Sequence, residues 1–204
     1  MNLHELGMKY NTDKSYEHNF CSIYERELPK DIKTLIEIGI DKGASLNMWA
    51  EYYKDAKIIG FDILDKSSLS YLPNIETKLL DQSNLEQLKT VANNYKDIDI
   101  IVDDGSHRYE HQIKTFEALF NSLKSLGYYI IEDLHTSTKF FPGNGNSDKT
   151  TLMYLNDIIS GNEPLGYEGQ FQTNLVLNNI KSVFLFANEN KQNHRSITSI
   201  IQHK

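Results

Sequence analysis

Short apolar runs, each about the length of a buried strand, recur along this chain, and this spacing limits the fold more than any other feature. The runs are Thr34 to Ile40, Lys57 to Ile63, Ile98 to Val102 and Tyr128 to Ile131. Each is followed by a polar or glycine-bearing turn, as expected of parallel strands covered on both faces. Helical spacing fills the intervals: Ser45 to Tyr53, Ser83 to Tyr95 and Tyr109 to Leu126, the second opening with Ser83 and Glu86 in capping-box register. Strand and helix alternate, which predicts an α/β sheet. Near the end, Asn174 to Leu177 and Ser182 to Ala187 read as an antiparallel hairpin, so the sheet is expected to start parallel and finish antiparallel.

Residues 1–30 precede the first strand and are read as a helical cap. A core follows over 31–190, with a lid loop at 136–149 containing Pro142, Gly143 and Gly145, and residues 191–204 are read as a C-terminal tail. The 204 residues then form a single domain. With 21 Lys+Arg against 28 Asp+Glu the net charge is −7, which argues against a nucleic-acid partner held by phosphate neutralisation. Cys21 is the only cysteine, so no intrachain disulfide is expected, and a cytoplasmic protein is the default. No signal peptide is read in the first residues, and no apolar stretch approaches the roughly 20 residues of a membrane span.

Chemistry concentrates at the strand ends. After the first strand, Glu37-Ile38-Gly39-Ile40-Asp41-Lys42-Gly43-Ala44-Ser45 places two glycines at a strand-to-helix junction, where backbone can approach a ligand closely. The Gly-x-x-x-Gly spacing is not that of a dinucleotide pyrophosphate site, and Glu37 favours a ligand carrying positive charge. A tight turn with no ligand fits the same residues. Asp62, closing the second strand, is placed to accept from two ribose hydroxyls. Asp81 and Gln82 suit an adenine edge or, equally, a helix N-cap.

Two acidic strand ends carry the strongest signal: Asp103-Asp104-Gly105-Ser106-His107 and Glu132-Asp133-Leu134-His135. Adjacent parallel strands bring such tips together. Like charges about 4 Å apart cost roughly 4 kcal/mol per pair at an effective dielectric of 20, so the cluster needs a cation or raised pKa values. Asp104, Glu132 and Asp133 suit Mg²⁺, with Mn²⁺ as its substitute, while solvated loop acids are the simpler alternative. His107 is the first candidate for a general base, His135 its competitor, and His111 reads as structural.

Taken jointly, these motifs resemble the class I S-adenosylmethionine-dependent methyltransferases. The similarity is strongest to the Mg²⁺-dependent sugar O-methyltransferases of macrolide and polysaccharide biosynthesis, the mycinamicin and tylosin type. Asn11-Thr12-Asp13-Lys14, with His18 and Tyr24, adds to it, so that the resemblance runs from Tyr10 to about Ile159. It implies a Rossmann-like, mostly parallel seven-stranded sheet with a reversed last hairpin. It also implies metal ligation by Asp104, Glu132 and Asp133, and His107 as base. Thr12, Lys14, Glu37, Gly39, Ser45, Asp62, Asp81, Gln82 and Asp103 fall on positions associated with the cofactor. The acceptor implied is a sugar or related small polar molecule. Alternatives are a small phosphorylated acceptor, an NAD-dependent oxidoreductase and a non-catalytic nucleotide-binding module. Phe140 and Phe141 suit either a substrate lid or a homo-oligomer contact.

Overall fold

The computed structural model describes residues 1–137, 145, 149–164, 170–189 and 195–204. Seven strands form one sheet in the order β3-β2-β1-β4-β5-β7-β6. β1 (Thr34–Ile38), β2 (Lys57–Asp62), β3 (Ile75–Leu79), β4 (Ile98–Asp103) and β5 (Leu123–Ile131) pair in parallel; β6 (Ile180–Glu189) and β7 (Arg195–His203) are antiparallel. The chain leaves β1 for β2 on one side and later returns to place β4 on the other. This reversal opens a crevice beyond the carboxyl ends of β1 and β4, the position where open α/β sheets bind ligands.

Strand alternation divides the core in two. Leu35, Ile58, Ile100, Ile130 and Ile200 face one side, where they pack with Phe20, Tyr24, Leu46 and Trp49. The latter belong to α3 (Phe20–Glu27) and α4 (Ala44–Tyr52), joined there by α1 (Leu3–Tyr10). Ile36, Ile59, Ile101, Tyr129 and Ile201 face the other side. They meet residues of α5 (Leu85–Asn94), α6 (Tyr109–Leu119), α7 (Thr151–Ile159) and α8 (Gln170–Leu177). The expected N-terminal cap is therefore helical: α1, the short α2 (Asp13–Tyr16) and α3. An Asn2–Glu5 capping box starts it.

Several boundaries differ from the sequence reading. Asn174 to Leu177, expected as a strand, closes α8, because four residues carry too little periodicity to separate helix from strand. The hairpin pairs β6 with β7 instead, so the residues read as a tail at 191–204 contribute a strand lying between β5 and β6. Ile200 and Ile201 are buried on opposite faces, and a strand buried on both sides shows no alternation to reveal it. α6 ends at Leu119 rather than Leu126; a 3-10 turn follows at Phe120–Ser122, and Leu123 pairs with Ile98 as β5 begins. α5 is capped by Asn84, whose side chain accepts from the backbone N–H of Glu86 and Gln87, so the Ser83–Glu86 box does not form. Phe140 and Phe141, with most of the loop at 136–149, lie outside the described residues.

Candidate active site

The turn after β1 runs through three left-handed residues: Gly39 (φ 93°), Asp41 (φ 44°) and Gly43 (φ 79°). A Cβ at Gly39 would collide with the backbone carbonyl of Asp104, so glycine lets the tips of β1 and β4 lie against each other. Asp62 fixes this turn from β2: its Oδ2 accepts from Ile40 N and its Oδ1 from Leu64 N, both at 2.9 Å.

Two hollows meet at Gly39, Asp62 and Gly105. One, of about 480 Å³, runs beneath the N-terminal cap and is lined by Thr12, Ser45, Asp104, His107 and Asp133 among others. The other, of about 200 Å³, is lined by Phe61, Leu80, Asp81, Gln82 and His111. Together they make an elongated crevice with a polar end and a largely apolar end. Gln82 spans its floor: its amide donates to Asp103 Oδ1 at 2.7 Å and accepts from Ser106 N at 3.0 Å. Burial pushes the Asp103 carboxyl up to about 7, against the pull of the Gln82 hydrogen bond. Asp81 accepts from Ser83 N and Oγ in a turn leading to α5. Ser45 donates to Glu37 Oε2 at 2.9 Å. The expected cofactor residues are thus gathered at the crevice or directly beneath it. Lys14 is the exception in kind, being fully buried behind the wall.

Of the acids at the ends of β4 and β5, Asp104 and Asp133 converge with His107, whereas Asp103 is bonded by Gln82. Ligand atoms of Asp104, His107 and Asp133 all lie within 4.8 Å of one another. His107 Nε2 is 3.5 Å from Asp133 Oδ2. Both His107 (φ 56°) and Asp133 (φ 54°) occupy the left-handed region, a conformation that costs a side-chain-bearing residue energy and collects at functional sites. Two further imidazoles border Asp133 Oδ1, His135 Nδ1 at 3.7 Å and His18 Nε2 at 4.0 Å. Burial lowers the His135 pKa despite the nearby Asp133 carboxylate.

Glu132 is oriented differently. Its Oε1 accepts from Tyr24 OH and its Oε2 from Lys14 Nζ, each at 2.9 Å. Lys14 Nζ also bonds Asp104 Oδ2 and lies 3.3 Å from Glu37 Oε1. Burial alone would lower the pKa of this ammonium, but the carboxylates of Asp104, Glu132 and Glu37 outweigh it and hold the value well above normal. Lys14 therefore supplies the positive charge that three of the clustered acids require. Sequence reading did not assign it that part, nor did it find Thr198 and Ser196 of β7, which accompany Tyr24 and His18 at 3.1 and 2.6 Å. The run over 196–201, Ser-Ile-Thr-Ser-Ile-Ile, keeps no strict alternation and offered no clear signal for them.

Asp133 Oδ1 and His107 Nδ1 are buried with no hydrogen-bond partner among the described residues. The Asp104 and Asp133 carboxylates fit a divalent ion such as Mg²⁺ or Mn²⁺, with the His107 imidazole beside them. Among the described residues no helix is long and apolar enough to cross a membrane.

No family model matches the sequence. Over 168 residues the chain is 33% identical to 8-demethyl-8-alpha-L-rhamnosyl tetracenomycin-C 2'-O-methyltransferase of Streptomyces olivaceus, covering 76% of this chain and 44% of that protein. Over 155 residues it is 36% identical to mycinamicin VI 2''-O-methyltransferase of Micromonospora griseorubida, covering 70% and 38%. The chain thus spans less than half the length of these relatives. Among solved structures, the MycE methyltransferase of the mycinamycin pathway, in complex with Mg and SAH, matches all of this chain and 55% of its own, with a TM-score of 0.80 and 28% identity. The overall match to MycE and the identity to these relatives give this chain the class I S-adenosylmethionine-dependent methyltransferase fold and relate it to the sugar O-methyltransferases of macrolide biosynthesis.

Proposed function

We propose that this protein transfers the methyl group of S-adenosylmethionine to a hydroxyl of a sugar or related small polar acceptor, in a reaction dependent on Mg²⁺ or Mn²⁺. The observation that carries the reading is the Asp104–His107–Asp133 group at the polar end of the crevice. The relatives named above are O-methyltransferases of glycosylated natural products, and MycE is known with Mg, SAH and mycinamycin VI. Natural-product or polysaccharide biosynthesis is the corresponding setting.

In this reading Asp62 receives the ribose hydroxyls, Asp81 and Gln82 border the adenine, and Thr12, Glu37, Gly39 and Ser45 surround the methionine portion. Asp103 supports Gln82. Asp104 and Asp133, with Glu132 behind them, would hold the metal, which when bound would make the acceptor hydroxyl more acidic. His107 takes the hydroxyl proton, the acceptor oxygen attacks the methyl carbon, and the carbon–sulfur bond breaks to leave S-adenosylhomocysteine. Asp133 beside His107 stabilises the imidazolium that results. His135 lies on the other side of Asp133 and is the second candidate base.

Calorimetry with S-adenosylhomocysteine and with NAD, followed by an acceptor screen for S-adenosylhomocysteine release with and without chelator, tests the reading. Binding of the former over NAD and chelator-sensitive turnover of a glycoside are expected. For His107→Gln, loss of about 10²-fold or more in turnover with near-normal S-adenosylhomocysteine affinity is expected. Full turnover in chelator would remove the metal from the mechanism.

A further inference from the structure

Lys14 is 1% exposed, yet three carboxyl groups compete for its ammonium. It bonds Asp104 Oδ2, lies 2.9 Å from Glu132 Oε2, and lies 3.3 Å from Glu37 Oε1. The other Glu132 oxygen already accepts from Tyr24. A dication drawing on Asp104 Oδ2 or Glu132 Oε2 therefore meets a resident positive charge and lone pairs already in use. Asp133 differs, since imidazoles, those of His18, His107 and His135, border its carboxylate where an ammonium borders the other two. Glu37 offers the ammonium a partner away from β4 and β5, bonded in turn by Ser45.

We propose that Lys14 is a built-in counter-cation that competes with the divalent metal for Asp104 and Glu132, so that the N-terminal cap sets how tightly the site holds its ion. The proposal rests on the metal-dependent reading above. In the metal-free protein the ammonium keeps the acids together; when the ion arrives, like-charge repulsion moves the ammonium's weight towards Glu37. The geometry makes metal affinity a compromise between an assembled empty site and a tightly held ion.

Titration calorimetry with MnCl₂, in the presence of S-adenosylhomocysteine, on the parent protein, Lys14→Met and Lys14→Arg tests it. Methionine keeps the length and removes the charge; arginine keeps the charge. Lys14→Met is expected to bind Mn²⁺ about tenfold more tightly than the parent, as relief of one screened like-charge repulsion predicts. Lys14→Arg should stay within about threefold of the parent, because its charge is retained. Thermal unfolding supplies the second readout: Lys14→Met should be less stable without metal, and Mn²⁺ should raise its midpoint by more than it raises the parent's. If Lys14→Met is unfolded without metal, Mn²⁺ should restore its far-ultraviolet dichroism. Affinity equal to or weaker than the parent's, or a variant still unfolded at saturating Mn²⁺, overturns the proposal alone. A parent that binds no Mn²⁺ overturns the metal-dependent reading and the proposal with it.

Discussion

Glu37 is a carboxyl with no solvent exposure, and burial pushes it up to about 7, although Lys14 and Ser45 pull the other way. In the unfolded chain it titrates near 4.5. The folded state therefore keeps a proton that the unfolded state has released. Stability from this group is complete below the unfolded value and is lost as the pH rises through about 7. Asp103, pushed up to about 7 by burial, acts in the same direction. Thermal unfolding of the metal-free protein should accordingly fall in midpoint from about pH 5 to about pH 8, and Glu37→Gln should flatten, but not abolish, that slope. An unchanged slope in the variant would mean that Glu37 ionises normally in the fold. The acids themselves were legible in the sequence, because Asp103-Asp104 and Glu132-Asp133 stop apolar runs abruptly and a carboxylate at such a junction needs a purpose. Their counter-cation was not. A lysine in a polar N-terminal stretch ordinarily reads as solvated, and the contact between Lys14 and Glu132 spans 118 positions.

At the level of elements, parallel strands and their following helices were legible because each buried strand is a compact apolar run ending in a turn residue. Ambiguity entered where two residues compete for one local role. Ser83 and Asn84 both precede α5, and both are good N-caps by type. Asn84 takes the cap because Ser83 is drawn into the turn on Asp81, bonding its carboxylate through both N–H and Oγ. Asn84→Ala should cost about 1 kcal/mol in urea unfolding, whereas Ser83→Ala at its exposed position should stay within about 0.5 kcal/mol. Equal losses would show that the two residues share the cap. The last hairpin was displaced for a related reason: β7 is buried on both faces, and its hydroxyl residues Ser196, Thr198 and Ser199 hide a central strand behind a polar sequence.

Across the whole molecule, the N-terminal cap and the last strand are tied together at the candidate active site rather than appended to it. Tyr24 of α3 gives its hydroxyl to Glu132 after β5 and meets Thr198 of β7. Residues of α1 and α3 also share one core with Leu35, Ile100, Ile130 and Ile200 of the sheet. A lid held by polar contacts alone could open independently; a cap that covers one apolar face of the sheet exposes that face when it leaves. The large shared core predicts a single cooperative unit, in which cap and sheet amides reach the same limiting free energy in native-state hydrogen exchange. Tyr24→Phe keeps the ring and its packing but leaves Glu132 Oε1 buried without its donor, so it should lower stability by about 2 kcal/mol. Because the unit is cooperative, that loss should appear equally in amides of α3 and of β4. Earlier exchange confined to α1, α2 and α3 would instead reveal a cap that opens while the sheet stays folded, and the site's acids would then lose Lys14 and Tyr24 together in each opening.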